Sequence, residues 1–277
     1  MKNISIGQYY AADSPIHRLD ARTKLILAIL YIVCTFLCKS IFSFGLLLIS
    51  GIFIVLMSRI PPKVILRALK PILFIMLFTV VINIFWTGGD KLLFEWRFIR
   101  IYAEGLYNAA FMTVRIIVLI IGSSIFLTYT TTPIALTDGT ERLLSPLKKI
   151  KVPVHEFAMM MSIALRFVPT LIDEADRIMS AQKARGTDFS SGSLIKRAKA
   201  LIPIIIPLFV SAFRRADELA TAMECRCYHG GEGRTKLRVT HMRFADFLAL
   251  ILMVAFGAAL VMINIHASKY GIGYVMP

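Results

Sequence analysis

Five uncharged apolar runs punctuate the chain: Leu25 to Cys38 (14 residues), Ile41 to Met57 (17), Pro71 to Gly89 (19), Ile116 to Thr137 (22) and Phe247 to Ser268 (22). A helix that crosses a bilayer needs about 20 such residues, with a range of about 17–25. The last three runs qualify, the second is marginal and the first is short. Only Lys39 separates the first from the second, and a lysine near a helix end can snorkel. The pair therefore reads as a tight helical hairpin turning near Lys39 and Ser40. The pattern predicts spans at residues 25–38, 41–57, 71–89 and 111–132 within a region 1–137, and a last span within 244–277.

Between these regions, residues 138–243 follow another pattern. Apolar residues recur at i, i+3, i+4 from Phe157 through Met160, Met161, Leu165, Val168 and Ile172 to Met179, and again from Leu194 through Leu201, Ile205, Leu208, Phe209 and Ala216 to Met223. That is the stripe of a long amphipathic helix. Pro169 should kink the first. A shorter helix is expected over Thr140–Leu147, before Pro153. The stretch Leu201–Val210 is apolar all round, but ten residues between Lys199 and Arg214 are few for a span. It is expected to pack beneath the membrane or on a hydrophobic partner. The fold class is all-α: a polytopic membrane protein with about five transmembrane helices and three cytoplasmic amphipathic helices.

Composition fits this reading. Apolar residues make up 57% and charged residues 18%, yet 32 Lys+Arg against 17 Asp+Glu leave a net charge of +15. A disordered basic tail would be poor in apolar residues, and a soluble nucleic-acid binder would need fewer. Arg18, Arg22 and Lys24 precede the first span, and Arg59, Lys63, Arg67 and Lys70 follow the second, so both segments should be cytoplasmic. The mixed loop from Asp90 to Glu104 is then external, with Trp86 and Trp96 near that boundary. Arg115 is expected to snorkel outward.

The two long amphipathic helices end alike. One closes on Ala184-Arg185-Gly186, the other on Cys225-Arg226-Cys227. At the offset that aligns Arg185 with Arg226, Ala175 meets Ala216, Asp176 meets Asp217 and Ile178 meets Leu219. A single arginine between small residues can reach carboxylates or carbonyl ends in a partner's groove. The plainer reading is an arginine that complements the helix dipole beside a glycine cap. Two copies on parallel patterns favour two similar docking sites.

Other motifs carry little chemistry. Gly230-Gly231-Glu232-Gly233-Arg234-Thr235 lacks the Lys-Ser/Thr of a phosphate-binding loop. His155-Glu156 lacks a second histidine at helical spacing. Cys225 and Cys227, even with His229, lack a fourth ligand and read as reduced cytosolic thiols. Asp173, Glu174 and Asp176 read as solvated partners of Arg177 and its neighbours. A lipid-modifying membrane enzyme would need carboxylates or histidines clustered at a span end.

Several segments resemble the transmembrane component of energy-coupling factor vitamin transporters, the EcfT family. They are Gly7-Gln8-Tyr9-Tyr10 with Asp13-Ser14, Leu19-Asp20-Ala21-Arg22-Thr23-Lys24, and Leu143-Leu144-Ser145-Pro146-Leu147-Lys148-Lys149. Arg166-Phe167-Val168-Pro169 with Ala184-Arg185-Gly186, and Gly230 to Thr235, complete the set. Where the family has a second Ala-Arg-Gly, this chain has Cys225-Arg226-Cys227. The resemblance implies a non-catalytic, multi-pass scaffold in the cell membrane. It binds no cofactor of its own, no metal and no nucleic acid. Its partners would be the lipid bilayer, two cytoplasmic ATP-binding-cassette ATPases that hold the ATP, and one or several interchangeable membrane substrate-binding subunits. Ala184, Arg185, Gly186, Cys225, Arg226 and Cys227 would dock the ATPases. Met160, Met161, Leu165, Ile205, Leu208 and Phe209 are assigned to the substrate-subunit contact. The same scaffold in a cobalt or nickel importer is the alternative.

Overall fold

The computed structural model describes residues 9–88, 92–96, 99–187, 189, 193–230 and 241–270. The chain divides into two compact units, Gly7–Thr140 with Thr240–Pro277, and Met1–Ile6 with Glu141–Val239.

The first unit holds α1 (Ala21–Leu37), α2 (Ile41–Ser58), α3 (Pro62–Leu69), α4 (Leu73–Trp86), α5 (Ala103–Ser123) and α9 (Phe244–Tyr270). Among the described residues, four stretches are long and apolar enough to cross a membrane: Ile41–Ser58, Pro62–Trp86, Ala103–Tyr129 and Phe244–Lys269. Two begin earlier than the uncharged runs predict, at Pro62 rather than residue 71 and at Ala103 rather than residue 111. In each case charged side chains sit within the helix itself. Lys63, Arg67 and Lys70 lie along the start of one, and Glu104 lies in the first turn of the other, where the helix dipole favours an anion. A short antiparallel hairpin, β1 (Leu92–Trp96) and β2 (Ile99–Tyr102), occupies the segment expected to be a loop.

The 17-residue α1 is short for a span, yet it forms the centre of this unit. Leu27, Ala28, Tyr31 and Cys34 are all buried. Tyr31 is accommodated by Gly122 of α5, where any Cβ would collide with the Tyr31 ring. Beyond Ser123, α5 continues as a π-helical turn, Ser124–Tyr129.

Polar side chains fasten the helix ends. At the start of α9, Asp246 is fully buried and accepts from the backbone N–H of Arg243 (2.7 Å) and of Asp20 (2.8 Å). Asp20 is itself the N-cap of α1, accepting from the Arg22 N–H at 3.0 Å. One carboxylate thus satisfies the capping amides of two helices. Further along α9, Asn264 donates to the Leu37 carbonyl (2.6 Å) and accepts from Ser43 Oγ (2.6 Å). Residues 246 and 264 are five turns apart, about 27 Å at 1.5 Å per residue. That is close to the thickness of a bilayer's hydrocarbon core. So α1 runs alongside α9 between two polar anchors, which is how so short a helix spans the unit. Arg115 does not snorkel outward. Its Nη2 donates to the Cys38 carbonyl at 2.8 Å, with the guanidinium 5.2 Å from the Phe44 ring centroid. The carbonyl left unpaired where α1 ends is the stronger attractor.

In the second unit, α6 (Pro133–Leu144) contributes its last residues. It forms earlier than the expected Thr140–Leu147, because Pro133 suits a first helical position and Thr132 Oγ1 accepts from the Ala135 N–H at 3.3 Å. A 3₁₀ turn, Ser145–Ile150, follows. Then come α7 (Val154–Ala184) and α8 (Leu194–Cys225), helices of 31 and 32 residues. Pro169, Pro203 and Pro207 lie inside these helices without ending them. Leu201–Val210 is simply the middle of α8.

Candidate functional site

Helix α7 ends in a Schellman motif. Gly186 (φ +89°) donates to the Lys183 carbonyl at 3.0 Å, and Thr187 donates to the Gln182 carbonyl at 3.0 Å. Arg185 is the C-cap residue between them and the helix. Helix α8 ends in the same motif. Cys227 (φ +55°) donates to Glu224 at 2.8 Å, Tyr228 donates to Met223 at 3.1 Å, and Arg226 is the C-cap. The glycine in the first motif is therefore a conformational requirement as well as a small neighbour, since its φ lies in the left-handed region. Cys227 adopts the same region with a side chain, at a cost of about 1–2 kcal/mol.

Ala184, Arg185, Gly186, Cys225, Arg226 and Cys227 are all exposed. Each guanidinium sits at the negative end of its helix dipole, with the last carbonyls already paired by the Schellman bonds. Each helix end thus presents a C-cap arginine from a closed, ordered backbone, and at α7 the exposed Lys183 of the last turn adds a second cation.

The internal duplication extends beyond the arginines. Ser180 Oγ donates to the Asp176 carbonyl (2.8 Å), and Thr221 Oγ1 donates to the Asp217 carbonyl (3.0 Å), at matching positions. Ala181 matches Ala222, and Thr170 matches Ser211. Matching positions also meet one another. Glu174 and Arg215, separated by 41 residues like all these pairs, form an ion pair of 2.9 Å. Glu174 is therefore tied to the other helix, not solvated beside Arg177 as its sequence neighbours predict. A hydrogen bond from Ser211, with Arg215 adding its charge, holds the Glu174 carboxyl below its ordinary value of 4.5. When residue i contacts its own repeat, the contact lies near the pseudo-twofold axis of the pair. From that contact each C-cap arginine is 11 residues away, about 16 Å along its helix. The arms are equal.

Beside the contact, Ile163, Phe167 and Leu171 of α7 and Ala216, Leu219 and Met223 of α8 line an open apolar groove of about 270 Å³. Of the residues assigned to the substrate-subunit contact, Met160, Met161, Ile205 and Phe209 are exposed, while Leu165 and Leu208 are half-buried. Met160 and Met161 lie in the first third of α7, and Ile205 to Phe209 in the middle of α8. His155 pairs with Glu141 through Nδ1 at 3.0 Å, which ties α7 to the end of α6. Among the described residues, no group of three or more His, Cys, Asp or Glu could hold a metal ion. The glycine-rich segment beyond Gly230, with the expected basic run through Lys236 and Arg238, lies outside the described residues.

Sequence reasoning missed the Glu174–Arg215 pair. The signal was present: opposite charges occupy equivalent repeat positions, and the same offset that aligns the arginines aligns these two.

A multi-pass membrane protein that carries an internally duplicated pair of amphipathic helices is the class these features define. Residues 12–237 match the family model described as cobalt transport protein. The chain is 52% identical over 250 residues to the energy-coupling factor transporter transmembrane protein EcfT of Clostridium kluyveri, covering 90% of this chain and 92% of that one. It is 53% identical over 251 residues to the protein of the same name from Ruminiclostridium cellulolyticum (91% and 92%), and 46% identical over 260 residues to that from Bacillus subtilis (94% and 98%). The chain belongs to the EcfT family of energy-coupling factor transporter transmembrane proteins.

Proposed function

We propose that this chain is the non-catalytic scaffold of an ATP-driven vitamin importer. It couples two cytoplasmic ATP-binding-cassette ATPases to one or several membrane substrate-binding subunits. The observation that carries this reading is the duplicated helix end: two exposed C-cap arginines, on identical Schellman motifs, at equal distances from the Glu174–Arg215 contact. Two like docking ends on equal arms suit two like ATPases. Each arginine enters a groove of one ATPase through charge-assisted hydrogen bonds. Closure of the ATPases on ATP changes the angle between α7 and α8, with the Glu174–Arg215 contact as pivot. The exposed apolar residues Met160, Met161, Ile205 and Phe209 pass that motion to the substrate subunit. The chain needs no cofactor of its own, since ATP is held by the partners. We read the basic segments around residues 18–24 and 59–70 as cytoplasmic, which gives five spans and an external C-terminus.

The test is Arg185→Glu combined with Arg226→Glu. Each charge-assisted bond contributes about 1.5–3 kcal/mol, and reversal adds repulsion. Copurification of the ATPases with a tagged chain and vitamin uptake should both collapse, while membrane insertion persists. Wild-type behaviour in both assays ends the docking reading. The family model's description supports a second reading, the same scaffold in a cobalt or nickel importer. Mass spectrometry of the copurified substrate subunits separates the two.

A further inference from the structure

One cavity of the transmembrane unit is lined by none of the residues given a part in that coupling. It measures about 350 Å³ and is lined by Asp13, Ser14, Arg18, Arg59, Arg243 and the apolar Leu19, with Pro15 and Ala245. Its position follows from the helices around it. α2 ends at Ser58, beside Arg59; α9 begins at Phe244, beside Arg243; and α1 begins at Ala21, just after Leu19. Three helices of the transmembrane unit thus have their ends at this cavity, so it lies at one boundary of the apolar band, on the face rich in Arg and Lys.

The lining is built for an anion. Three arginines face one carboxylate. Asp13 engages Arg18 through both oxygens, at 2.9 and 2.7 Å, and its backbone carbonyl accepts from Arg59 Nη1 at 3.3 Å. Arg59 is held on the cavity rim by its own backbone, which closes α2 in the left-handed conformation (φ +53°). The N-terminus of the 27-residue α9 lies beside Arg243 and is already met by Asp246, so the arginines supply the attraction. The apolar wall from Leu19, Pro15 and Ala245 is what a free phosphate has no use for and the glycerol end of a lipid does.

We propose that this cavity binds the phosphate headgroup of an anionic phospholipid, with Arg59 and Arg243 as the direct ligands and Arg18 held in reserve by Asp13. The bound lipid braces the ends of α1, α2 and α9 against one another at the membrane surface.

Native mass spectrometry of the full chain in neutral detergent tests this, with dioleoyl-phosphatidylglycerol, dioleoyl-phosphatidylcholine and inorganic phosphate as probes. Phosphatidylglycerol should be retained in preference to phosphatidylcholine. Arg59→Gln with Arg243→Gln should weaken its binding about ten- to thirty-fold, with the lipid-free unfolding temperature unchanged. Asp13→Asn should strengthen it several-fold by releasing Arg18, an effect that a merely structural Asp13–Arg18 pair would not produce. Equal retention of the two lipids, or unchanged binding in both variants, overturns the proposal. Displacement of the lipid by millimolar inorganic phosphate also overturns it, because the site would then read a soluble anion. None of these results depends on ATPase docking, so the scaffold reading stands or falls separately.

Discussion

The two units keep their helices together by different means. In the transmembrane unit, several polar side chains are turned inward and hold helix ends. Asp246 caps two helices at one end of α9, Asn264 ties two more chain segments near the other end, and buried Lys24 donates to the Thr130 carbonyl at 2.7 Å and the His17 carbonyl at 3.1 Å. Tyr31 is wholly enclosed against Gly122. In the other unit, α7 and α8 are more than 30 residues long, and among the described residues the polar link between them is the Glu174–Arg215 ion pair with Ser211 beside it, while Phe157, Ile195, Phe209 and Phe213 are exposed. A unit whose helix ends are satisfied from within behaves as one rigid piece. Two long helices joined at one small polar cluster can change their crossing angle without unpacking a core. The contrast separates residues whose loss shows in unfolding from residues whose loss shows in transport.

The largest expected effect falls on the rigid side. Asp246→Ala removes the acceptor for two capping amides and should destabilise the chain by about 3 kcal/mol, since bonds to a charged group contribute about 1.5–3 kcal/mol each. Asp246→Asn keeps one good acceptor oxygen and should lose roughly half as much. Thermal unfolding in detergent, followed by circular dichroism, checks both. Equal losses would mean that only one of the two amides matters.

Gly122→Ala comes next. The added Cβ would strike the Tyr31 ring, and overpacking of a filled site costs about 1–3 kcal/mol. Tyr31→Leu should recover part of that loss, so the two substitutions together should cost less than their sum. Strict additivity would place the strain elsewhere than at this contact.

The pivot should behave in the opposite way. Glu174→Arg or Arg215→Glu alone leaves like charges facing each other, and each should lower uptake several-fold while unfolding barely changes. The charge-swapped double variant should restore uptake. Because the Glu174 carboxyl is held low in the folded chain, its contribution is present above the ordinary value of 4.5 and is lost as the pH falls through the lower, folded value. The pair is therefore intact throughout the neutral range. If the swapped double variant transports no better than either single one, the contact does not act as a pivot.

The sequence made the helices legible where their pattern was long. The stripes of α7 and α8 and the apolar runs of α2 and α9 located those helices to within a few residues. Helix starts through charge were not legible. The span that begins at Pro62 carries Lys63 and Arg67, and α5 carries Glu104 and Arg115, so a search for uncharged runs starts both too late. The β-hairpin escaped notice because its strands have five and four residues. The arginine pair was visible as a repeat and the glycine as a helix cap; not legible was that Cys227 takes the same left-handed cap position, because only the backbone shows its positive φ.

That position carries the smallest prediction and the sharpest comparison within the α7–α8 unit. α7 and α8 end in the same Schellman motif, with Gly186 in one and Cys227 in the other. Replacing Cys227 by Gly removes a Cβ from a left-handed backbone and should stabilise the end of α8 by about 1 kcal/mol. Gly186→Cys, the mirror change, should destabilise α7 by a similar amount. Both helix ends keep their arginine, so uptake should remain near wild type in Cys227→Gly. Hydrogen exchange of the Cys227 and Tyr228 amides should slow in that variant, and exchange at residue 186 and Thr187 should quicken in Gly186→Cys. Unchanged exchange with lost uptake would mean that the Cys227 thiol itself is needed at the interface. The two ends would then differ in chemistry rather than in the ease of one backbone turn.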